Sequence, residues 1–163
     1  MKKRLLSLGL AAVMAMSMTA CGSSGSTSDS AEETGAASQG EESADGATFK
    51  IGGIGPVTGA NAAYGQAVAN GMELAIKEIN EAGGVNGYQI EYNFQDDESD
   101  PEKAVNAYNT LKDWGMQLLL GTVTSKPCIA VGAESEVDNL FQLTPSGSAV
   151  ACIAGSNAFG VCF

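Results

Sequence analysis

Leu118-Leu119-Leu120-Gly121-Thr122-Val123-Thr124-Ser125-Lys126-Pro127 is the stretch that decides the fold. A compact apolar run bounded by glycine suits a central strand buried on both faces. Gly121 to Ser125 reads as a hydroxyl-rich loop, and Pro127 opens a helix carrying Ile129, Ala133 and Val137. The stretch is thus strand, polar loop and helix, and the same unit recurs on both sides of it.

Upstream, Phe49 to Ile54 (FKIGGI) is a first short strand running into a Gly/Pro/Thr loop, Gly55 to Gly59. Val68, Met72, Ala75, Ile76 and Ile79 then share one helical face, which Gly83-Gly84 ends. Tyr88, Ile90, Tyr92 and Phe94 alternate with Gln89, Glu91, Asn93 and Gln95, the pattern of a strand with one wet face and so of a sheet edge. Asp100-Pro101-Glu102 combines a capping carboxylate, a proline at the first helical position and a first-turn acid. Ala104, Val105, Tyr108 and Leu111 form that helix's buried stripe, and Gly115 ends it. Downstream, Phe141-Gln142-Leu143 is a fourth strand leading into the polar loop Thr144 to Ser148, and Ala158 to Phe163 reads as a fifth.

Strands alternating with helices predict an α/β fold, a doubly wound parallel sheet with right-handed crossovers. An edge-like second strand predicts the order 2-1-3-4, and Ala158 to Phe163 is a candidate fifth strand whose place the sequence leaves open. Ligands of such sheets bind outside the carboxyl ends of the strands, near the switch between strands 1 and 3. Three loops stand there: Gly55 to Tyr64, Gly121 to Lys126 and Thr144 to Ser148. Thr122, Thr124 and Ser125 precede a helix N-terminus, where free N–H groups and the macrodipole favour an anion. Ser146 and Ser148 flank Gly147, which lets backbone approach a ligand. Hydroxyls and N–H groups suit a small carboxylate, and hydroxyls with carbonyls take an ammonium; the bland alternative is that these Ser and Thr only satisfy turns and caps. Tyr64 is the aromatic placed at a site mouth, whereas Tyr108 and Trp114 read as packing residues.

Composition narrows the chemistry. The chain has 163 residues, no histidine, 19 Asp plus Glu against 8 Lys plus Arg, and a formal charge of −11. Without histidine there is no Ser-His or Cys-His nucleophile pair and no imidazole metal site. Such acidity argues against nucleic acid, which needs clustered Lys and Arg. Gly53 to Gly59 resembles a dinucleotide fingerprint, but its spacing is off by one, Pro56 lacks an N–H and no acid follows about 20 residues on. That leaves a Rossmann-type nucleotide-binding enzyme as a weak rival. The cluster Asp96, Asp97, Glu98 and Asp100 does not match an EF-hand and reads as a solvated turn and helix cap. No catalytic, metal or cofactor site is expected.

Two N-terminal segments differ from the rest. Residues 1–20 begin with Lys2, Lys3 and Arg4, continue through an apolar core from Leu5 to Met18 and end in small residues, the order of a secretory signal peptide. The core is too short to span a bilayer. Met18-Thr19-Ala20-Cys21 resembles a bacterial lipobox, with Met18 where leucine is usual, which makes Cys21 the acylated new N-terminus. Residues 22–47 hold six acids, no base and no large apolar side chain, the composition of a disordered Gly/Ser/acidic tether. The segments are therefore 1–20 signal peptide, 21–47 lipidated cysteine and tether, and 48–163 folded domain. An oxidising compartment bears on the remaining cysteines. Cys152 and Cys162 lie ten apart across a Gly155-Ser156-Asn157 turn, a spacing that allows a disulfide, and Cys128 is then left as a buried thiol.

The run Gly55-Pro56-Val57-Thr58-Gly59, Tyr64-Gly65, Gly71 to Ala75, Glu78-Ile79-Asn80, Gly83 to Gly87, Asp96-Asp97 and Asp100-Pro101, with the two hydroxyl loops, resembles the periplasmic-binding-protein type I family. It is closest to the leucine/isoleucine/valine-binding proteins of ABC importers. The resemblance implies that Ser125 binds a ligand carboxylate by hydroxyl and N–H. It further implies that Ser148 touches both carboxylate and ammonium, that Ser146 offers its carbonyl to the ammonium, and that Tyr64 lies over the ligand, with Thr124 and Gly147 beside them. It implies an extracytoplasmic, lipid-anchored solute receptor for a branched-chain or related amino acid, an ABC permease as partner and no chemistry on the ligand; a sensing module without transport is the alternative. The family's disulfide joins the positions of Ser99 and Thr124, neither of them cysteine here, and relatives often carry arginine at Gly160. Family members have two lobes, so ending at Phe163 inside a strand is expected of a fragment holding the first.

Overall fold

The computed structural model describes residues 48–161. The signal peptide, Cys21, the tether and Cys162 lie outside the described residues. The elements run β1 (Thr48–Gly55), α1 (Ala62–Glu81), β2 (Gln89–Asp96), α2 (Pro101–Asp113), β3 (Leu118–Gly121), α3 (Ser125–Val137), β4 (Gln142–Thr144), a 3-10 turn (Val150–Ile153) and β5 (Ala158–Gly160). All strand pairs are parallel, in the order β2-β1-β3-β4-β5. This is the predicted doubly wound sheet, with β2 at one edge and β5 at the other.

Neighbouring positions of β1 show how the layers are wound. A side chain at Gly52 would meet Leu111 and Met116, whereas one at Gly53 would meet Phe94 and Met72. Successive residues of a strand face opposite ways, so α1 and α2 cover opposite faces. On the α2 face the core is Ile54, Ala104, Ala107, Tyr108, Leu111, Met116, Leu119 and Val131, with Trp114 and Leu140 packed against it. Helix α2 starts as expected: the Asp100 carboxylate accepts from the Lys103 N–H at 2.9 Å, and Pro101 follows. Gly115, at φ 90°, takes the left-handed backbone just past its end.

Two stripes differ from expectation. On α1, Gly65 and Ile76 are buried, but Ala75 and Ile79 are exposed. Helix α3 begins at Ser125, two residues before Pro127, and buries Pro127, Cys128, Val131 and Ser135. Ile129, Ala133 and Val137 face outward instead. The reason is a polar network beneath the helix. The Ser135 hydroxyl donates to Gln142 Oε1 at 2.9 Å, and Asn157 Nδ2 donates to Ser135 Oγ at 3.2 Å and to the Leu140 carbonyl at 2.7 Å. Gln142 Nε2 points to Cys128 Sγ at 3.4 Å. Paired this way, polar groups occupy interior positions that apolar periodicity assigns to hydrocarbon.

Candidate functional site

The carboxyl ends of β1, β3 and β4 open onto a shallow cavity of about 210 Å³ lined by Asn61, Tyr64, Val123, Thr124, Ser125 and Ser146. The loop after β1 is held from the neighbouring strand. Asp96, the last residue of β2, accepts from the Val57 N–H at 3.0 Å and from the Thr58 hydroxyl. Burial pushes the Asp96 carboxyl up, but hydrogen bonds from Thr58, Glu98 and Val57 outweigh it and hold the pKa below its ordinary value. Asn61 Nδ2 donates to Ser99 Oγ at 2.9 Å, tying the same loop to the turn before α2. Tyr64 follows in the first turn of α1 and is 67% exposed. A Cβ at Gly65 would stand 1.8 Å from the Pro56 carbonyl oxygen, so only glycine lets the helix start this close to the loop.

The two hydroxyl loops are bound to each other. The Thr144 hydroxyl, wholly buried, donates to the Thr122 carbonyl at 2.7 Å and accepts from the Gly147 N–H at 2.9 Å. The Ser146 hydroxyl donates to the Val123 carbonyl at 2.7 Å. The Ala149 N–H reaches Ser125 Oγ at a long 3.4 Å. Thr124 precedes α3 without capping it through its side chain, and its hydroxyl is buried with no hydrogen-bond partner among the described residues. A buried hydroxyl without a partner is costly to keep, and the residue that carries it lines the cavity. Helix α3 adds first-turn N–H groups and the positive end of its dipole beside Ser125. The chemistry on offer is hydroxyls and N–H groups for a carboxylate, carbonyls for an ammonium and an exposed aromatic ring at the rim.

Of the residues proposed from sequence, Tyr64, Thr124, Ser125 and Ser146 therefore line one cavity. Gly147 and Ser148 do not line it. The Gly147 N–H is drawn back onto Thr144, and Ser148 beyond it is exposed on the loop. Asn61 and Val123 line the cavity without having been singled out. Asn61 stands three residues before Tyr64, close enough to be sought there; Val123, between two threonines, carried no signal of its own. In the acidic cluster, Asp96 holds the first loop and Asp100 caps α2.

The sequence model of the periplasmic binding protein family matches residues 48–161. The leucine-, isoleucine-, valine-, threonine- and alanine-binding protein of Pseudomonas aeruginosa is 39% identical over 102 residues, covering 63% of this chain and 27% of the relative. Among solved structures, the branched-chain amino acid transporter substrate-binding protein LivJ of Streptococcus pneumoniae, in complex with isoleucine, is 31% identical with a TM-score of 0.64, covering 69% of this chain and 32% of that one. The leucine-binding protein LivK of Thermotoga maritima is 27% identical with a TM-score of 0.64, covering 71% and 33%. The chain spans between about a quarter and a third of the length of these proteins.

Proposed function

Since the chain belongs to the periplasmic binding protein family, we propose that it forms one wall of the solute site of an extracytoplasmic receptor, which binds a branched-chain or related amino acid for an ABC importer. The observation that carries this reading is the convergence of Thr124, Ser125 and Ser146 on one cavity at the switch between β1 and β3. Ser125 and the α3 N-terminus take the carboxylate, carbonyls of the second loop take the ammonium and Tyr64 lies over the ligand. Ser148, exposed on the same loop, is assigned to the ammonium side from the family resemblance. Binding energy here closes a cleft rather than driving a reaction, in keeping with a family of substrate-binding proteins.

Cys21 anchors the receptor by acylation after removal of residues 1–20, and residues 22–47 tether the domain to the membrane. The support is the sequence Met18-Thr19-Ala20-Cys21 behind a basic, apolar leader. Labelling of the expressed protein by a palmitate analogue, lost in Cys21→Ser, tests the anchor.

Calorimetric titration and thermal shift with leucine, isoleucine, valine and a panel of other amino acids test the ligand class. A ligand at about 100 times its Kd adds about 2.7 kcal/mol of stability. A rise in melting temperature with the branched-chain members supports the assignment, and silence across the panel removes it. Binding without permease-dependent uptake identifies a sensor in place of a transport receptor.

A further inference from the structure

We propose that Cys128 and Cys152 pair as a disulfide that staples the two hydroxyl loops of the candidate site together at their base. This rests on the extracytoplasmic reading above, because an oxidising compartment is where such a bond forms and persists.

Both cysteines are buried, at 0% and 2% exposure. Cys128 lies in the first turn of α3, three residues past Ser125, and Cys152 lies in the 3-10 turn that follows the second loop. The Cys128 thiol is directed at the Cys152 carbonyl at 3.9 Å, and the Cys152 thiol at the Ser125 carbonyl at 3.6 Å. The two sulfurs converge under Gly147. A Cβ placed there would stand 3.1 Å from the Cys152 sulfur and 3.3 Å from the Cys128 sulfur, so the missing side chain is what leaves room for both. Burial pushes the Cys152 thiol up to about 11, and the neighbouring Cys128 adds to the rise. Buried in the closed fold, neither thiol is accessible to an external disulfide, so the bond forms before the loops close over the pair.

The reaction is exchange with an external disulfide, either an oxidoreductase's or oxidised glutathione. One cysteine thiolate attacks a donor sulfur and expels the first donor thiolate. The second cysteine then attacks the mixed disulfide and expels the other. One S–S bond breaks as one forms, two electrons pass to the donor, and the two cysteine protons end on the released thiols. The closed ring of chain contains β4, Ser146, Gly147 and Ser148, and its junction lies at the helix end bearing Ser125. Cross-linking at that point fixes both ligand loops in advance of the ligand, which is preorganisation.

The test is connectivity mapping on the full chain, purified without reductant and alkylated in denaturant. Glu-C and chymotrypsin together separate the three cysteines, since acids at 134, 136 and 138 and Phe159 lie between them. The expected result is a linked Cys128–Cys152 peptide, with Cys162 alkylated. A Cys152–Cys162 link, or three alkylated cysteines after both export and refolding in oxidised and reduced glutathione, overturns the proposal. A link formed on refolding but absent from exported protein also overturns the proposal, because the bond then fails to form in the compartment that should produce it. The double variant Cys128→Ser/Cys152→Ser should melt roughly 5–10 °C lower, and dithiothreitol should lower the parent by a similar amount without affecting the variant. Mapping needs no ligand, so silence in the amino-acid panel leaves this result standing.

Discussion

The Ser146 hydroxyl donates to the carbonyl of Val123, 23 residues earlier, at 2.7 Å. With the Thr144 bond to the Thr122 carbonyl, also 2.7 Å, it sets the spacing of the loops after β3 and β4. It also fixes the role open to Ser146, because a hydroxyl that has given its proton to a backbone carbonyl cannot give it to a ligand. Ser146→Ala should therefore lower stability by about 0.5–1.5 kcal/mol, the net worth of such a bond. Amino-acid affinity should fall only a few-fold, through looser spacing. Urea titration and calorimetry on the same preparation separate the two effects. A hundredfold loss of affinity would mean that the hydroxyl itself grips the ligand.

Ser125 stands in the opposite situation. Among the described residues its oxygen accepts only a long contact from the Ala149 N–H, at 3.4 Å. Ser125→Ala should therefore leave stability within about 0.5 kcal/mol of the parent. Loss of a hydrogen bond to a charged carboxylate, worth about 1.5–3 kcal/mol, should weaken binding roughly 10- to 100-fold. Equal affinity in parent and variant would place the carboxylate elsewhere.

What could be read from residues alone divides along physical lines. The alternation of strands and helices, the LLL run of β3 and the Asp100-Pro101-Glu102 start of α2 are local signals, and they led to the sheet order that the structure shows. The buried face of α3 is not a local signal. Ser135, Cys128, Gln142 and Asn157 are tolerable inside only because they pair with one another across three elements. Periodicity counts apolar residues and so selected the wet face. The cavity was half legible for a similar reason. Composition identifies hydroxyl loops, but which of their residues line the cavity is a matter of loop shape, set in part by the bond from Gly147 to Thr144.

Asp97 links the turn before α2 to pH. It is fully buried, its Oδ1 accepts from the Ser99 N–H at 2.8 Å, and its Oδ2 has no partner among the described residues. Burial, with Asp96 and Asp100 nearby, raises its pKa from an ordinary 3.8 to about 6. In the window from about 4 to 6 the folded chain holds a proton that the unfolded chain has released. Stability contributed by this group is therefore present below that window, declines as pH rises through it and is gone above it. Ionising the carboxyl in place costs roughly 2–3 kcal/mol. Asp97→Asn keeps the acceptor for Ser99 and removes the charge, so it should raise stability at pH 7 by about 1–2 kcal/mol. The decline between pH 4 and 6 should flatten as well. Denaturant midpoints of both proteins at pH 4, 5, 6 and 7 check this, and parallel profiles would refute it.

Asn80, near the end of α1, donates from Nδ2 to the Ile90 carbonyl at 2.9 Å, and its Oδ1 accepts from the Ile90 N–H at 2.7 Å. Among the described residues β2 has a strand, β1, on one side only, so Ile90 presents both backbone groups at a sheet edge, where another chain could pair with them. The Asn80 amide occupies that position as a strand would. It also pins the helix end above the strand that the helix leads into. Asn80→Ala should cost about 1–3 kcal/mol, because two half-buried backbone groups lose their partners together. The freed edge should appear as concentration-dependent aggregation, measured by light scattering below the unfolding temperature. Asn80→Asp restores only the bond from the Ile90 N–H, and should fall between the two in stability. An alanine variant as stable and as monodisperse as the parent would show that the edge is guarded by something other than this amide.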